Sequence, residues 1–400
     1  MLLTVSKRLE FSASRRLFVP NWSDSENVAA FGEESRARHG TGRNYVVYFI
    51  FSGRVDPVTG MLINISEIKR RAGGIVDDRF DHKFLNEDNP AFDDIPPTAE
   101  NIAAQLFSDV EPLFSDVDAK LIAVHLIETP DRSATFYADG TCDGNYWLEF
   151  SAARRTMSPH LTPAENAQLF GSATATHGHN YRARLSFRKA KSAGPIVRQH
   201  DVDDCLKSLH DELDHHCLNE LPSLKDRPMT TESLAAYVRE RAGDFPPIHR
   251  VRLHERDDFF AEAWPEQTIF LGMQMRFSAA HRLHVPSFSD EKNAELFGKC
   301  DNPRGHGHLY LAEATIGGNF DERSGTVYDF VAFQKALWES IDPWQDRHLD
   351  LETKDFRKIS STGENIVRAL WSRIDSRVNH ELVRLRLWET KNNRFSVRRT

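Results

Sequence analysis

Apolar and β-branched residues concentrate in three stretches of the chain, at 44–53, 180–187 and 309–318. Within the second stretch apolar and polar positions alternate, and a run at 383–388 alternates apolar and basic residues. Successive side chains of a strand point to opposite faces, so this pattern is typical of strands with two different surroundings. We therefore predict β-strands at these positions.

A period of three to four residues marks two helices in the last third of the chain. One begins near Asp329 and carries its apolar residues on one face, at Phe330, Phe333, Leu337 and Ile341. The other is expected to begin with a capping box of Ser361 and Glu364, with Ile366, Leu370 and Ile374 turned inward. Both helices are expected to cover one face of a sheet.

Three short segments that end in Phe-Gly are predicted to be helices of one to two turns. Ser23 and Glu26 form a capping box in the first, and Thr162, Pro163 and Glu165 give the second a capped start. The glycines that fit the C-terminal ends of the three helices are Gly32, Gly171 and Gly298.

Six sequence markers recur three times in the same order. The first marker reads FSASRRL at 11–17, FSAARRT at 150–156 and FSAAHRL at 277–283, and the last ends at Glu128, Glu255 and Glu389. These glutamates are 127 and 134 residues apart. A period of about 130 residues is the size of a small domain. We predict three tandem domains, at about 1–140, 141–265 and 266–400.

Each repeat is expected to contain two strands, two main helices and two further strands, which is an α+β unit. Its four-stranded antiparallel sheet would expose two open edges, and open edges invite uncontrolled pairing. Three such sheets joined edge to edge would close into a barrel without free edges. The fold class that we predict is therefore α+β, with three repeats around a pseudo-trimeric β-barrel.

Composition narrows the classes of function. The net charge is −8 and the pI is about 6.1, which argues against nucleic-acid binding. No apolar run reaches membrane-spanning length, and the N-terminus lacks a signal-peptide pattern. Four cysteines in 400 residues are too few for a disulfide framework and suit a reducing compartment. A cytoplasmic protein that acts on a small molecule is expected.

Three histidines of the last repeat are candidates for one metal site. His306 and His308 are two positions apart on a predicted strand and so share a face, while His281 would come from a neighbouring strand. Three imidazoles without a fourth protein ligand are typical of a catalytic Zn²⁺ with one open position. The alternative is a pair of polar strand histidines that bind no metal.

The third repeat resembles the 6-pyruvoyl-tetrahydropterin synthase family across nearly all of 270–398. The resemblance is carried by FSAAHRL, FGKCDNPRGHGHLY, STGEN and LWETKNN. The family has the tunnelling fold (T-fold), in which three subunits form a twelve-stranded barrel and two trimers stack. The resemblance implies that this chain is a covalent trimer, present as a monomer or as a stacked homodimer.

The resemblance also implies a chemistry. His281, His306 and His308 match the zinc ligands, Cys300 matches the catalytic cysteine and Glu389 matches the glutamate that anchors the pterin ring. The implied reaction is that of a carbon–oxygen lyase acting on a phosphate ester. It converts 7,8-dihydroneopterin triphosphate to 6-pyruvoyl-tetrahydropterin and triphosphate.

The first two repeats depart from the family's metal set. The metal positions of the first repeat hold Arg15, Thr41 and Arg43, so no metal is expected there. The second repeat keeps His177 and His179, but Arg154 replaces the first histidine, and a guanidinium group cannot ligate a metal. One complete metal and cysteine set per chain is expected.

The third repeat lacks the family's Asp-His pair, because Gln345 and Asp346 stand in its place. The first repeat keeps Asp81 and His82, and the second keeps Asp214 and His215. In the family this pair is supplied across a subunit interface and activates the cysteine. We expect one composite site, to which one of the two retained pairs contributes; the sequence does not decide which.

Two other functions stay open. One is 6-carboxytetrahydropterin synthase of the queuosine pathway, which shares the fold and the substrate; the five residues between Cys300 and His306 favour the pyruvoyl enzyme. The other is a non-catalytic pterin-binding protein, for which Glu389 and a pocket would suffice.

Overall fold

The structure is a computed structural model that describes residues 1–190, 196–243 and 248–400. Its centre is a closed antiparallel barrel of twelve long strands. Each repeat contributes four of them. They are β1 (Leu2–Arg15), β2 (Thr41–Ser52), β4 (Lys120–Thr129) and β5 (Arg132–Tyr137); β6 (Thr141–Arg154), β7 (His177–Ala190), β8 (Ile248–Arg256) and β9 (Phe259–Ala263); β10 (Ile269–His281), β11 (His306–Ile316), β13 (Leu382–Thr390) and β14 (Asn393–Arg398).

The helices lie outside the barrel. Those of the first repeat are α1 (Asp24–Phe31), α2 (Ile65–Arg79), α3 (Leu85–Asp88) and α4 (Ala99–Val110). The second repeat has α5 (Pro163–Phe170), α6 (Gln199–Leu213) and α7 (Thr231–Ala242). The third has α8 (Asp290–Phe297), α9 (Phe330–Ile341), α10 (Leu349–Glu352) and α11 (Gly363–Asp375). Two short strands, β3 (Lys83–Phe84) and β12 (Arg347–His348), pair in parallel with β1 and β10.

Pairing between the edge strands of neighbouring repeats closes the barrel. β5 pairs with β6, β9 pairs with β10, and β14 pairs with β1. The last pairing joins Leu2 to Arg398 and Lys7 to Asn393, so the two ends of the chain lie side by side. The prediction of a closed pseudo-trimeric α+β barrel is confirmed.

Alternation along each strand separates the hydrophobic core from the barrel lumen. On β1, Val5, Phe11 and Ala13 are buried beneath the helices, while Ser6 and Arg8 lie on the opposite face. Each repeat also packs a stacked aromatic pair below its helices: Phe11 with Tyr45, Phe150 with Tyr181 and Phe277 with Tyr310. The core therefore lies between the sheet and the helices, and the lumen is polar.

The predicted helix signals are largely confirmed. Ser23 and Glu26 form a capping box, as do Thr162 and Glu165, and Asp329 caps α9. The capping box predicted for Ser361 and Glu364 is wrong. The N-cap is Thr362. The two predicted residues make other contacts: the carbonyl of Ser361 is bound by His281, and the carboxylate of Glu364 accepts a hydrogen bond from the amide of Leu62.

Within the described ranges, no helix combines the length and the apolar character that a membrane crossing requires.

Candidate functional site

The three candidate metal-binding histidines converge at the end of the third repeat's sheet. His281 is the last residue of β10 and pairs directly with His306 at the start of β11. His308 lies two positions further along β11 and shares a face with His306. One nitrogen from each ring lies within 4.8 Å of the other two. The sequence prediction that these residues meet is confirmed.

The rings present free nitrogens to one another. His281 is fully buried, and its Nδ1 lies 2.8 Å from the carbonyl oxygen of Ser361. That contact fixes the tautomer with the proton on Nδ1 and leaves Nε2 as a lone-pair donor. Buried nitrogens without a hydrogen-bond partner are found on all three rings: His281 Nε2, His306 Nδ1 and His308 Nε2. Unpaired buried nitrogens of this kind are costly unless a cation occupies the space between them, so the residues fit a Zn²⁺ ion.

Burial, followed by the influence of neighbouring charged groups, lowers the pKa values of His306 and His308 and favours their neutral forms. The pKa of His306 is lowered to about 4, first by burial and then by His281 and His308. A neutral imidazole is the form that binds a metal.

Glu389 lies beside the histidines at the end of β13. Its Oε1 is 3.7 Å from His281 Nε2 and 3.8 Å from His308 Nε2. Its Oε2 accepts a hydrogen bond of 3.1 Å from Asn393, whose own Oδ1 accepts one of 3.0 Å from Lys7. Lys7 belongs to the first repeat. The site therefore lies where the third repeat borders the first.

Cys300 lies in a single turn of 3₁₀-helix that follows α8. It is partly buried and forms no disulfide. Burial and then the charge of Glu389 raise the pKa of its thiol. The thiol is therefore protonated near neutral pH unless a cation or a base approaches it.

The two Asp-His pairs lie at the rim of the barrel, at the end where β1, β6 and β10 finish. His82 Nδ1 is 2.7 Å from Asp81, and His215 Nδ1 is 2.5 Å from Asp214. The amides of Ser12 and Ser151 hold the two aspartates and lower their pKa values. Both histidines adopt a positive φ and are more than 80% exposed, at 83% and 81%. Within the described residues, neither pair makes a hydrogen bond or an ion pair with the cluster around Cys300.

Gln345 and Asp346 take the same backbone positions in the third repeat. Gln345 accepts a hydrogen bond from the amide of Ser278, and Asp346 has a φ of 57°. Two residues later, His348 lies against Gly305, and its Nδ1 is 3.8 Å from Asp350. A third histidine–aspartate pair, at ion-pair distance but without a hydrogen bond, is thus present close to His306.

In the first repeat an ion pair replaces the metal site. Arg15 and Glu128 are both buried, and Arg15 Nε donates to Glu128 Oε1 over 2.8 Å. Glu34 binds the other side of Arg15 and also Arg43. Arginines therefore occupy two of the three positions that hold histidine in the third repeat, and both arginines are paired with glutamates.

The second repeat shows the same substitution. Arg154 is ion-paired with Glu255 over 2.5 Å, and His179 Nε2 is 3.0 Å from the other oxygen of this carboxylate. Ligand atoms of His177, His179 and Glu255 lie within 4.8 Å of one another, but the guanidinium group occupies one side of the carboxylate. The glutamate at this position therefore binds arginine in the first and second repeats. In the third repeat, Glu389 has no such arginine partner among the described residues.

Two buried carboxyl groups were not singled out from the sequence as site residues. Burial raises the pKa of Glu364 to about 7, with a smaller contribution from Glu389, and burial raises that of Glu232 to about 7. Each accepts a hydrogen bond from a backbone amide of the next repeat around the barrel, Leu62 or Val327. The recurrence of this glutamate in all three repeats was the available signal.

In comparisons with known proteins, three successive segments of the chain match the same family. The family model described as 6-pyruvoyl tetrahydropterin synthase matches residues 4–139, 147–266 and 271–400. A 6-pyruvoyl tetrahydrobiopterin synthase of Pongo abelii is 37% identical over 122 residues, which are 30% of this chain and 84% of that protein. A 6-carboxy-5,6,7,8-tetrahydropterin synthase of Rickettsia bellii is 25% identical over 146 residues, 32% of this chain and 96% of that protein. Among solved structures, the Caenorhabditis elegans 6-pyruvoyl tetrahydropterin synthase aligns with a TM-score of 0.32 and 33% identity, over 33% of this chain and 96% of that one.

Proposed function

The chain belongs to the 6-pyruvoyl tetrahydropterin synthase family, and from this premise we propose that it is a zinc-dependent synthase with one active site, in the third repeat. The proposed reaction converts 7,8-dihydroneopterin triphosphate to 6-pyruvoyl-tetrahydropterin and releases triphosphate. The observation that carries the proposal is the set of three histidine nitrogens without a hydrogen-bond partner, two of which lie 3.7 and 3.8 Å from Oε1 of Glu389. The equivalent glutamates of the other repeats are bound by Arg15 and Arg154.

Substrate binding is assigned to the two carboxyl groups that line the site. A carboxylate can accept two parallel hydrogen bonds from the amine and ring N–H of a pterin, and such charge-assisted pairs are strong and directional. Glu389 is placed for this role because its Oε1 has no protein donor, while Asn393 holds Oε2. Glu364 lies close enough to influence Glu389 and is braced by the amide of Leu62.

His281, His306 and His308 would hold the Zn²⁺ ion. When bound, the ion supplies Lewis-acid polarisation of the substrate's side-chain oxygens, which acidifies the adjacent C–H bonds. The protein's own contribution is orientation: the carbonyl of Ser361 fixes the ring of His281, and strand pairing fixes His306 opposite it.

Cys300 would accept a proton from a carbon atom of the substrate. Because burial and Glu389 raise the pKa of its thiol, Cys300 needs a basic partner before it can accept a proton from carbon. The exposed Asp81–His82 and Asp214–His215 pairs lie at the same end of the barrel as the site. We assign one of these pairs as the basic partner of Cys300. It would reach the thiol from a second chain, where the rims of two barrels meet in a homodimer.

Product identification tests the function. The purified, zinc-loaded chain is incubated with 7,8-dihydroneopterin triphosphate, and the products are resolved by mass spectrometry. The proposal expects 6-pyruvoyl-tetrahydropterin and one triphosphate per turnover, and no product from Cys300→Ala or His281→Ala. The matched control is Cys217→Ala, at a partly exposed cysteine of the second repeat.

The same experiment separates the alternatives. Formation of 6-carboxytetrahydropterin would assign the chain to the other synthase of the family, represented among its relatives. Saturable binding of the substrate without any conversion would identify a pterin-binding protein. Either result would refute the proposed reaction.

A further inference from the structure

The lumen of the barrel contains a cavity of about 760 Å³ that no part of the proposed reaction uses. It lies at the end of the barrel opposite the histidine site, since its lining includes Leu2 and Thr141 at the starts of β1 and β6. Arginine dominates the charged groups of its wall. Eight arginines from β7, β8, β13, β14 and the residue that follows β14 line it, among them Arg184, Arg188, Arg250, Arg384, Arg386 and Arg394.

The carboxylates of this region neutralise only part of that charge. Glu313 accepts hydrogen bonds from Arg252 and Arg386, and Glu262 accepts them from Arg252 and Arg384. Asp143 binds Arg188, with Arg250 at 4.0 Å. Counting Arg252, nine guanidinium groups therefore face five carboxylates, the three above together with Asp139 on the wall and Asp375 beside Arg399, so positive charge is in excess.

Two arginines have no acidic partner among the described residues. Arg184 and Arg394 both line the cavity, and neither forms an ion pair within the described part of the chain. Arg394 has one hydrogen bond, from Nη2 to the hydroxyl of Ser6. Buried Nε atoms without a hydrogen-bond partner occur on Arg184, Arg250, Arg384 and Arg394. Arginine donors left unsatisfied at a cavity wall are costly unless an acceptor enters the cavity.

Burial and then the resulting positive potential lower the pKa values of neighbouring titratable groups. The pKa of Arg184 is lowered to about 9 by burial and then by Arg250, Arg252 and Arg384. The pKa of His125, which also lines the cavity, is lowered to about 3 by burial and then by Arg394, Arg184 and Arg386. The guanidinium groups therefore act on one another, and a bound anion would relieve their repulsion.

We propose that this cavity binds one polyvalent oxyanion of the oligophosphate class, held by the unpaired guanidinium groups of Arg184 and Arg394 and by their neighbours. Guanidinium groups match phosphate oxygens in pairs, and several of them arranged around a lumen suit a chain of phosphates better than a single monovalent ion. Arg398 and Arg399 line the cavity and are exposed to solvent, which provides a route by which a ligand can enter. The site is independent of the proposed reaction, because the three histidines, Cys300 and Glu389 lie at the other end of the barrel.

Calorimetric titration of the full chain with inorganic triphosphate tests the proposal, in 150 mM NaCl so that weak surface binding is screened. One saturable site per chain is expected, with affinity in the order triphosphate, pyrophosphate, orthophosphate. The His281→Ala variant should bind equally well, which separates the lumen from the metal site. Absence of saturable binding, equal affinity for the three anions, or loss of binding in His281→Ala would overturn the proposal.

Substitution of the unpaired arginines gives the second arm. Arg184→Gln combined with Arg394→Gln should weaken triphosphate binding at least tenfold, while Arg70→Gln, at an exposed position of α2, should leave it unchanged. The double variant should also melt no lower than the parent without ligand, since repulsion is removed, and triphosphate should no longer raise its Tm. Unchanged binding in the double variant would refute the assignment. Should that variant not fold, each single substitution, measured against Arg70→Gln, must still weaken binding.

Discussion

The guanidinium group of Arg154 is ion-paired with the carboxylate of Glu255, at the position where the third repeat places His281 beside Glu389. Arginine at this position therefore forms a salt bridge with the glutamate, whereas histidine lies beside it at 3.7 Å. The first repeat contains the same pair in Arg15 and Glu128. The consequences can be measured at each repeat separately.

Metal content should follow the histidine set of each repeat. The zinc-reloaded chain is expected to bind about one equivalent of zinc, and His281→Ala close to none. Arg154→His should bring the content to about two equivalents, because it completes a three-histidine set with His177 and His179 and removes the cation from Glu255. Metal analysis after dialysis measures this. If the parent chain binds two equivalents, Arg154 does not disable its repeat.

Removal of Arg15 should destabilise the fold. Arg15→Met leaves Glu128 buried with only Arg132 at 3.3 Å, and loss of one partner of a buried pair costs about 3–5 kcal/mol. The free energy of unfolding from denaturant titration gives the value. Arg15→Met together with Glu128→Gln should recover part of the loss, because the buried carboxylate that lacks Arg15 is removed, while Arg132 then loses its carboxylate partner. The surface control Arg70→Ala should change stability by less than about 1 kcal/mol. Equal effects of Arg15→Met and Arg70→Ala would contradict the expected role of the buried pair.

Stability should decline with rising pH because of Glu232. Burial raises the pKa of this carboxyl from 4.5 to about 7 in the folded chain, so the folded state binds the proton more tightly than the unfolded state. Its contribution is complete below about pH 4.5 and is lost as the pH rises through about 7. At 1.36 kcal/mol per pKa unit, the interval corresponds to about 3 kcal/mol.

The variant Glu232→Gln removes this titration. Its stability relative to the parent should therefore increase between pH 5 and pH 8, as measured by denaturant unfolding at both values. The control is Glu339→Gln, at a half-exposed side chain of α9. A constant difference between Glu232→Gln and the parent across this range would show that the folded and unfolded pKa values are alike.

Turnover should depend on one of the two rim pairs. Loss of a general acid–base partner costs on the order of 10²–10⁴ in rate. We expect that fall for either His82→Ala or His215→Ala, while the other variant keeps its rate. Cys300→Ala should be at least as damaging and should still bind zinc.

Mixing inactive chains distinguishes relay across two chains from relay within one. When Cys300→Ala is refolded with the inactive histidine variant, a mixed dimer joins an intact cysteine to an intact histidine and regains activity. A mixture that stays inactive would place the relay within one chain. If both histidine variants retained the full rate, His348 and Asp350, beside the three histidines, would be the next candidates for the proton relay.

The sequence was sufficient to predict the barrel and the convergence of the three histidines, because both follow from patterns that recur along the chain. Repeat spacing predicted three sheets, unpaired edges predicted closure, and the two-residue spacing of His306 and His308 placed both on one face. The strands extend a few residues beyond the predicted stretches at their N-terminal ends.

Contacts between distant residues were not predictable in this way. Arg15 and Glu128 are 113 residues apart, and the amide that binds Glu364 is 302 residues away. The alternation at 383–388 indicated basic residues on one face, but only the barrel brings Arg384 and Arg386 together with Arg184 of the second repeat. Chain topology, not local preference, determines these neighbours.

Covalent linkage of the three repeats releases each site from symmetry. In a barrel made of three identical subunits, an arginine that replaced the first histidine would appear in every site and abolish all of them together. Here Arg15 and Arg154 occupy two sites with buried salt bridges, and His281 remains in the third. Linkage lets one scaffold use two of its three equivalent positions for buried ion pairs and keep the histidine cluster in the last, an asymmetry that a homotrimer cannot adopt.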